Sequence, residues 1–216
     1  MKPAATSLII DLHYLPSVHY FAKLIQYPKV RIEQYENYSK GSYRNRAVIA
    51  STQGPLRLSI PLRKGKNERQ AIRDVQIAYD QPWPSQHWTA IRSAYGNSPY
   101  FEHYADYLQP LFQNKTASLF DFNLQLLHRL IQLLQIEVDL GFTDAYHKSY
   151  PEEVADFRHL ISPKHVPSNV DPHFSPSPYA QVFQEKTGFL PNLSVIDLLF
   201  CTGPASHSLL ELSIKT

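Results

Sequence analysis

Two short stretches of this 216-residue sequence concentrate side chains capable of chemistry. The first is the loop from Asp11 to Tyr14, where His13 and Tyr14 are the candidates, with His19 and Tyr20 just behind; the second runs from Glu33, Gln34 and Tyr35 to Arg44, Asn45 and Arg46. Imidazoles exchange protons near neutral pH. Arginines offer forked donors that match phosphate or carboxylate, and tyrosines pair a stacking face with a polar tip. If the two stretches converge, Arg44 and Arg46 would hold an anionic group, Asn45 would orient donor or acceptor, and His13 or His19 would act as general base. Tyr14, Tyr20 and Trp88 would shape the pocket, with Gln34 a further substrate contact. A third group mixes aromatic surface with donors: Trp83, His87, Trp88, Arg92, Tyr95, Tyr100, Phe101 and Tyr104. Most of it suits a core, and His87, Trp88 and Arg92 are its candidates for ligand contact. Each reading has a plainer rival: a solvated basic turn around Arg44 and Arg46, and a structural or exposed imidazole at His19.

Convergence requires particular elements. Ser7–Ile10 is an apolar run suited to a buried strand, Val18, Phe21, Ala22 and Ile25 repeat at helical spacing, and Val30–Gln34 alternates as strand. That order predicts a βαβ unit with parallel strands, whose loops open at one sheet edge, where the helix amino terminus favours anions. Ala47–Ser51 and Leu56–Leu62, joined through Gln53, Gly54 and Pro55, predict a hairpin, and Val75–Tyr79 a further strand. Ser85 fits the cap of a helix with Trp88, Ile91 and Tyr95 on one face, ended by Gly96. Ser98 and Pro99 suit the start of another. Ser118 with Asp121 opens a long apolar-faced helix to about Gln135, and Leu193–Phe200 forms a compact helix broken by Gly203 and Pro204. The fold class expected is α/β: a mixed sheet with an amino-terminal βαβ unit and hairpin, flanked by helices, with a mostly helical carboxyl-terminal half. Length favours a single domain over residues 1–216, with a proline-rich loop or lid at 162–179.

Composition narrows the function classes. A net charge of +2 is too mild for a nucleic-acid footprint, although Lys40, Arg44, Arg46, Arg57, Arg63, Lys64 and Lys66 fall in one stretch. Cys201 is the only cysteine, which excludes an internal disulfide and suits a small apolar core residue in a reducing, cytoplasmic setting. No secretory signal or membrane-length apolar run is visible, so membrane insertion is not expected. No glycine-rich phosphate loop, nucleophile elbow or paired-cysteine motif occurs. The spacings of His13 with His19, and of His159, His165 and His173, match no recognised metal site, and the sequence names no cofactor.

Several stretches, in their order and spacing, resemble the WbqC-like protein family over most of the chain. They are His13 through Tyr20 and Phe21, Gln34 with Tyr35, Arg44 through Arg46 with Ile49, and Leu58 to Pro61. Further along come Trp88 through Ser93, Tyr95, Pro99 to Phe101, and Asn192 through Phe200. Many members carry Gln and Pro where this chain has His13 and Tyr14. The resemblance implies a place in bacterial surface-polysaccharide (O-antigen) assembly, transferring glycine or a similar small acyl group to an amino sugar or nucleotide-sugar. The partner would be a small anionic substrate, with oligomeric state left open. A weaker similarity, of Pro16 and His19 at a helix start between strands, is to HUP-like adenylyl- and cytidylyltransferases. A third reading is a ligand-binding or accessory protein without chemistry.

Overall fold

A computed structural model describes residues 5–63, 70–163 and 171–215; Lys64, Lys66, His165 and Pro167 lie outside them. β1 (Ser7–Asp11) and β2 (Lys29–Glu33) flank α1 (Val18–Gln26). The Ser17 hydroxyl caps α1 by accepting from the Tyr20 N–H. The two strands are parallel, Leu8 opposite Val30 and Asp11 opposite Glu33, as the βαβ expectation requires. β3 (Arg46–Ser51) and β4 (Gly54–Ser59) form the expected antiparallel hairpin as a two-stranded sheet of their own.

Helices α2 (Trp83–Tyr95), α3 (Phe101–Gln113) and α4 (Leu119–Leu133) follow. Ser118 caps α4 by accepting from the Asp121 N–H at 3.1 Å. Ser85 does not cap α2. The helix begins at Trp83, with Pro84 in its first turn, and the Ser85 hydroxyl donates to the Pro82 carbonyl at 2.9 Å. Val75–Tyr79, expected as a strand, makes only single bridges, Leu62 with Ile77 and Gln76 with Ser118, because a short 3₁₀ turn over Ile72–Asp74 leads into it.

Two short strands, β5 (Asp139–Phe142) and β6 (Val154–Asp156), complete the main sheet, whose order β5-β2-β1-β6 is parallel throughout. The chain then runs through α5 (Gln184–Thr187), α6 (Val195–Thr202) and α7 (Ser206–Leu212). Apolar side chains from both sheets and the longer helices merge in one continuous core. Cys201 sits in it, and burial, with Asp197 nearby, pushes its thiol up to about 12, as befits a packing residue. Among the described residues no helix is long and apolar enough to cross a membrane.

Gly203 ends α6 at φ +54°, and a Cβ there would lie 2.5 Å from the Tyr100 ring. Gly203→Ala therefore combines a left-handed backbone with overpacking. It should cost about 2–4 kcal/mol, read as a lower midpoint in urea titration with an unchanged slope. A midpoint equal to that of the unaltered chain would refute this packing.

Candidate functional site

The sheet order places a topological switch point between β1 and β6: from β1 the chain moves outward through β2 to β5, then returns to the opposite side of β1. In open parallel sheets the crevice beyond the carboxyl ends of strands at such a point is where ligands bind. Asp11 is the last residue of β1, and His159 lies three residues past the end of β6. Glu33 closes β2, and Glu36 follows in its loop. Acids and an imidazole thus arrive at one edge from three strands.

Arg44 binds them together. Its side chain is fully buried and reaches Asp11 Oδ2 at 3.2 Å and Glu36 Oε1 at hydrogen-bonding distance. The Asn123 amide of α4 donates to the Arg44 carbonyl at 2.7 Å, fixing its backbone. His13 Nε2 lies 3.1 Å from Asp11 Oδ2, with its ring between Tyr20 and Tyr43, centroids 4.9 and 5.5 Å away. His159 Nε2 meets Glu36 Oε2 at 3.2 Å. Burial alone would raise the Asp11 pKa, but the Arg44 guanidinium and His13 outweigh it and hold the carboxyl well below the usual range. His159 moves the other way: its hydrogen bond to Glu36 raises its pKa above the ordinary imidazole value against the opposing effect of burial.

A cavity of about 90 Å³ opens against this network, lined by Asp11, Ser39, Lys40, Arg44, His159 and their neighbours. Of its lining residues, Asp11 Oδ1 and Arg44 Nε and Nη1 are buried without a hydrogen-bond partner among the described residues, as are His13 Nδ1 and Tyr20 Oη in the layer next to Asp11. Orphaned polar atoms are rare in protein interiors, and several gathered at one point mark a place for a polar ligand or ordered water. His159 itself is held at φ +65°, a left-handed conformation that costs an imidazole-bearing residue about 1 kcal/mol or more. Among the described residues no group of three or more His, Cys, Asp or Glu is arranged to hold a metal ion.

The candidates read from the sequence separate into distinct places. His13, Tyr20 and Arg44 join the network, with His13 behind Asp11 rather than on the cavity wall. Tyr14 turns the other way into the core, where its hydroxyl meets His87 Nδ1 at 2.8 Å and its ring stacks near Phe122. Asn45 bridges Tyr38 and the Ile60 carbonyl, and Gln34 donates to the Thr143 carbonyl at 2.8 Å; both tie loops together. Arg46 begins β3 with a buried Nε that has no partner among the described residues, and it does not line the cavity. Trp88 and Arg92 face a separate groove between α2 and α3. Asp11 and His159 on the wall, and Glu36 bonded to His159, are not among the candidates the sequence offers. An acid directly after an apolar run was the one available signal, and it is weak.

His19 belongs to a second buried cluster. Its Nε2 contacts Asp171 Oδ2 at 2.8 Å, Lys23 Nζ reaches the same oxygen at 2.6 Å, and the Phe174 ring stacks on the imidazole 4.0 Å away. Burial pushes the His19 pKa down more than Asp171 draws it up. Asp171 and Phe174, in the described end of the proline-rich segment, thus cover the polar side of α1. Nor is the amino terminus of α1 available to an anion. Val18, His19 and Tyr20 donate their N–H groups to the Leu193 carbonyl, the Asn192 side chain and the Ser17 hydroxyl.

These features define a parallel α/β protein with a carboxylate–imidazole–guanidinium site at its switch point. The profile of the WbqC-like protein family matches residues 12–171, most of the chain, which belongs to that family. It is 26% identical, across 90% of its length and 93% of the relative's, to the uncharacterised protein Rv1507c of Mycobacterium tuberculosis. No solved structure gives a significant match.

Burial lowers the His87 pKa from the ordinary 6.5 to about 4. Unfolded chains take up this proton near 6.5, whereas the folded chain resists until about 4, so the stabilisation is complete above 6.5 and is lost as pH falls through that window. The loss should be on the order of 3 kcal/mol. His87→Gln, which can still accept from Tyr14, should flatten the unfolding free energy between these limits in urea titrations; an unchanged slope against pH would refute the assignment.

Proposed function

We propose that this chain is a small-group transferase that moves an acyl or aminoacyl residue, such as glycyl, onto the amine of an amino sugar or nucleotide-sugar in bacterial surface-polysaccharide assembly. The observation that carries the reading is the set of unpartnered buried polar atoms around a cavity just large enough for a small group, at the sheet's switch point. Family membership supports the setting but not the reaction.

Roles follow from position. Asp11 Oδ1, kept ionised by Arg44, receives an N–H of the acceptor amine. His159 on the cavity wall, oriented by Glu36, takes the proton that the amine loses as the new N–C bond forms. It returns that proton to the group leaving the acyl carbon. The free N–H groups of Arg44 can donate to charge developing on the acyl oxygen. His13 positions Asp11 from behind, and Lys40 at the rim suits the phosphates of a nucleotide-sugar. The parallel strand order also suits HUP-like nucleotidyl transfer, but the occupied amino terminus of α1 removes the phosphate site which that chemistry uses.

Thermal shift with UDP-linked amino sugars tests the reading. A free-amine compound should raise the melting temperature, its N-acetylated counterpart should not, and Asp11→Asn should abolish the shift. His159→Gln should keep the shift while lowering transfer, followed by mass spectrometry of the acceptor, by 10²–10⁴-fold. Because Glu36 holds the His159 proton more tightly, the transfer rate should rise with pH through the raised imidazole value. Equal shifts with free and capped amines, or none with either, would sink the proposal.

A further inference from the structure

A large hollow lies among residues remote in sequence from the Asp11 network. Between the start of α2 and the end of α3 lies a cavity of about 620 Å³, and a second of about 390 Å³ continues on the far side of Trp88. Both fall in the ~300–1,000 Å³ range of small-molecule sites. Trp88 and Gln109 line both hollows and so form the ridge between them.

The ridge is rigid and aromatic. Trp88 is half-buried, braced by Phe112 and Phe101 with ring centroids 5.6 and 6.1 Å away. Tyr79 is held at the edge, its hydroxyl donating to the Thr116 carbonyl at 2.8 Å and accepting from the Thr116 N–H at 3.1 Å. Around these rings stand side-chain amides, Gln81, Gln109 and Gln113, each able to donate and accept at once. The charges are Asp80, Glu102 and Asp106 against Arg92 and Lys115: three carboxylates facing two cations. That balance disfavours phosphates and other anions. Aromatic faces with planar amides, no excess of positive charge and two successive hollows match a neutral chain of pyranose rings, whose C–H faces stack on aromatics and whose hydroxyls pair with amides.

We propose that the α2/α3 groove is a saccharide-binding site that takes a neutral oligosaccharide, with Trp88 as the stacking platform and Gln109 as the hydroxyl-reading group. It goes beyond the transferase reading and stands independently of it, since none of its lining residues belongs to the Asp11 network.

The chain holds two tryptophans, and Trp83 is buried in the core at 2% exposure. Their two indole N–H signals in a ¹⁵N–¹H NMR spectrum therefore give a probe and an internal control. Titration with chitotriose and with maltotriose should shift the Trp88 signal saturably and leave Trp83 still. Gln109→Ala should weaken binding by tenfold or more, and Trp88→Ala, its fold checked by circular dichroism, should remove the saccharide response from calorimetry. His159→Gln should bind as the unaltered chain does, which separates this site from the transfer centre. The proposal is overturned if neither saccharide moves the Trp88 signal, if Gln109→Ala binds unchanged, or if ADP or an amphipathic peptide binds the groove more tightly than either sugar.

Discussion

A guanidinium buried between two carboxylates is the constraint from which the rest of this structure follows. Arg44 has no exposed surface, and removing such a charge from water is tolerable only because Asp11 and Glu36 both meet it. Deleting Arg44 would leave two buried carboxylates without their cation, typically a loss of about 3–5 kcal/mol. The two acids come from the ends of different strand segments, and the Arg44 backbone is held by Asn123 of α4. Arg44 therefore fixes the end of β1 and the loop after β2 through its side chain, and the long helix through its carbonyl, relative to one another. It also keeps Asp11 ionised, and the other oxygen of that carboxylate has no hydrogen-bond partner among the described residues.

Around this centre the protein closes its site with segments that carry little regular structure. Arg158 lies between the Tyr146 and Tyr150 rings, 5.2 and 4.9 Å from their centroids, and pairs with Asp156 and Glu33. It pins the connection between β5 and β6 to the sheet. On the other side Asp171 and Phe174 cover His19 and Lys23 of α1. A related device appears at α6, where Asp197, fully buried, accepts from the Tyr179 hydroxyl at 2.5 Å and the Gln181 amide at 2.9 Å. In each case a charged group among apolar neighbours organises a loop because its unmet hydrogen bonds would be costlier than the ordering.

Helix α2 divides its duties by face. His87 points inward to Tyr14 and the Trp83 ring, 5.1 Å away, whereas Trp88, one residue on, turns out to the groove. Adjacent helical residues are separated by about 100° around the axis, so His87 and Trp88 could not have served one pocket. Grouping them by nearness in sequence placed together what the helix separates.

The sequence by itself determined the amino-terminal βαβ unit, the hairpin, the Ser118 cap and the broken final helices, because apolar periodicity, capping residues and turn glycines act over a few positions. It also brought His13, Tyr20 and Arg44 toward a common edge, since parallel strands force their following loops together. Only the tertiary structure decided the rest. β5 and β6 are four and three residues long, DLGF and VAD, too short and too polar to carry a strand period, and they become strands because β2 and β1 offer unpaired edges. With β6 comes His159, which lies 146 positions after His13 and reaches the site through pairing alone. Whether a polar residue meets solvent, a core or a ligand depends on what the rest of the chain lays over it. That is why Tyr14, Asn45 and Gln34 hydrogen-bond within the core and between loops, while Asp11 and His159 line the cavity with Glu36 bonded to His159.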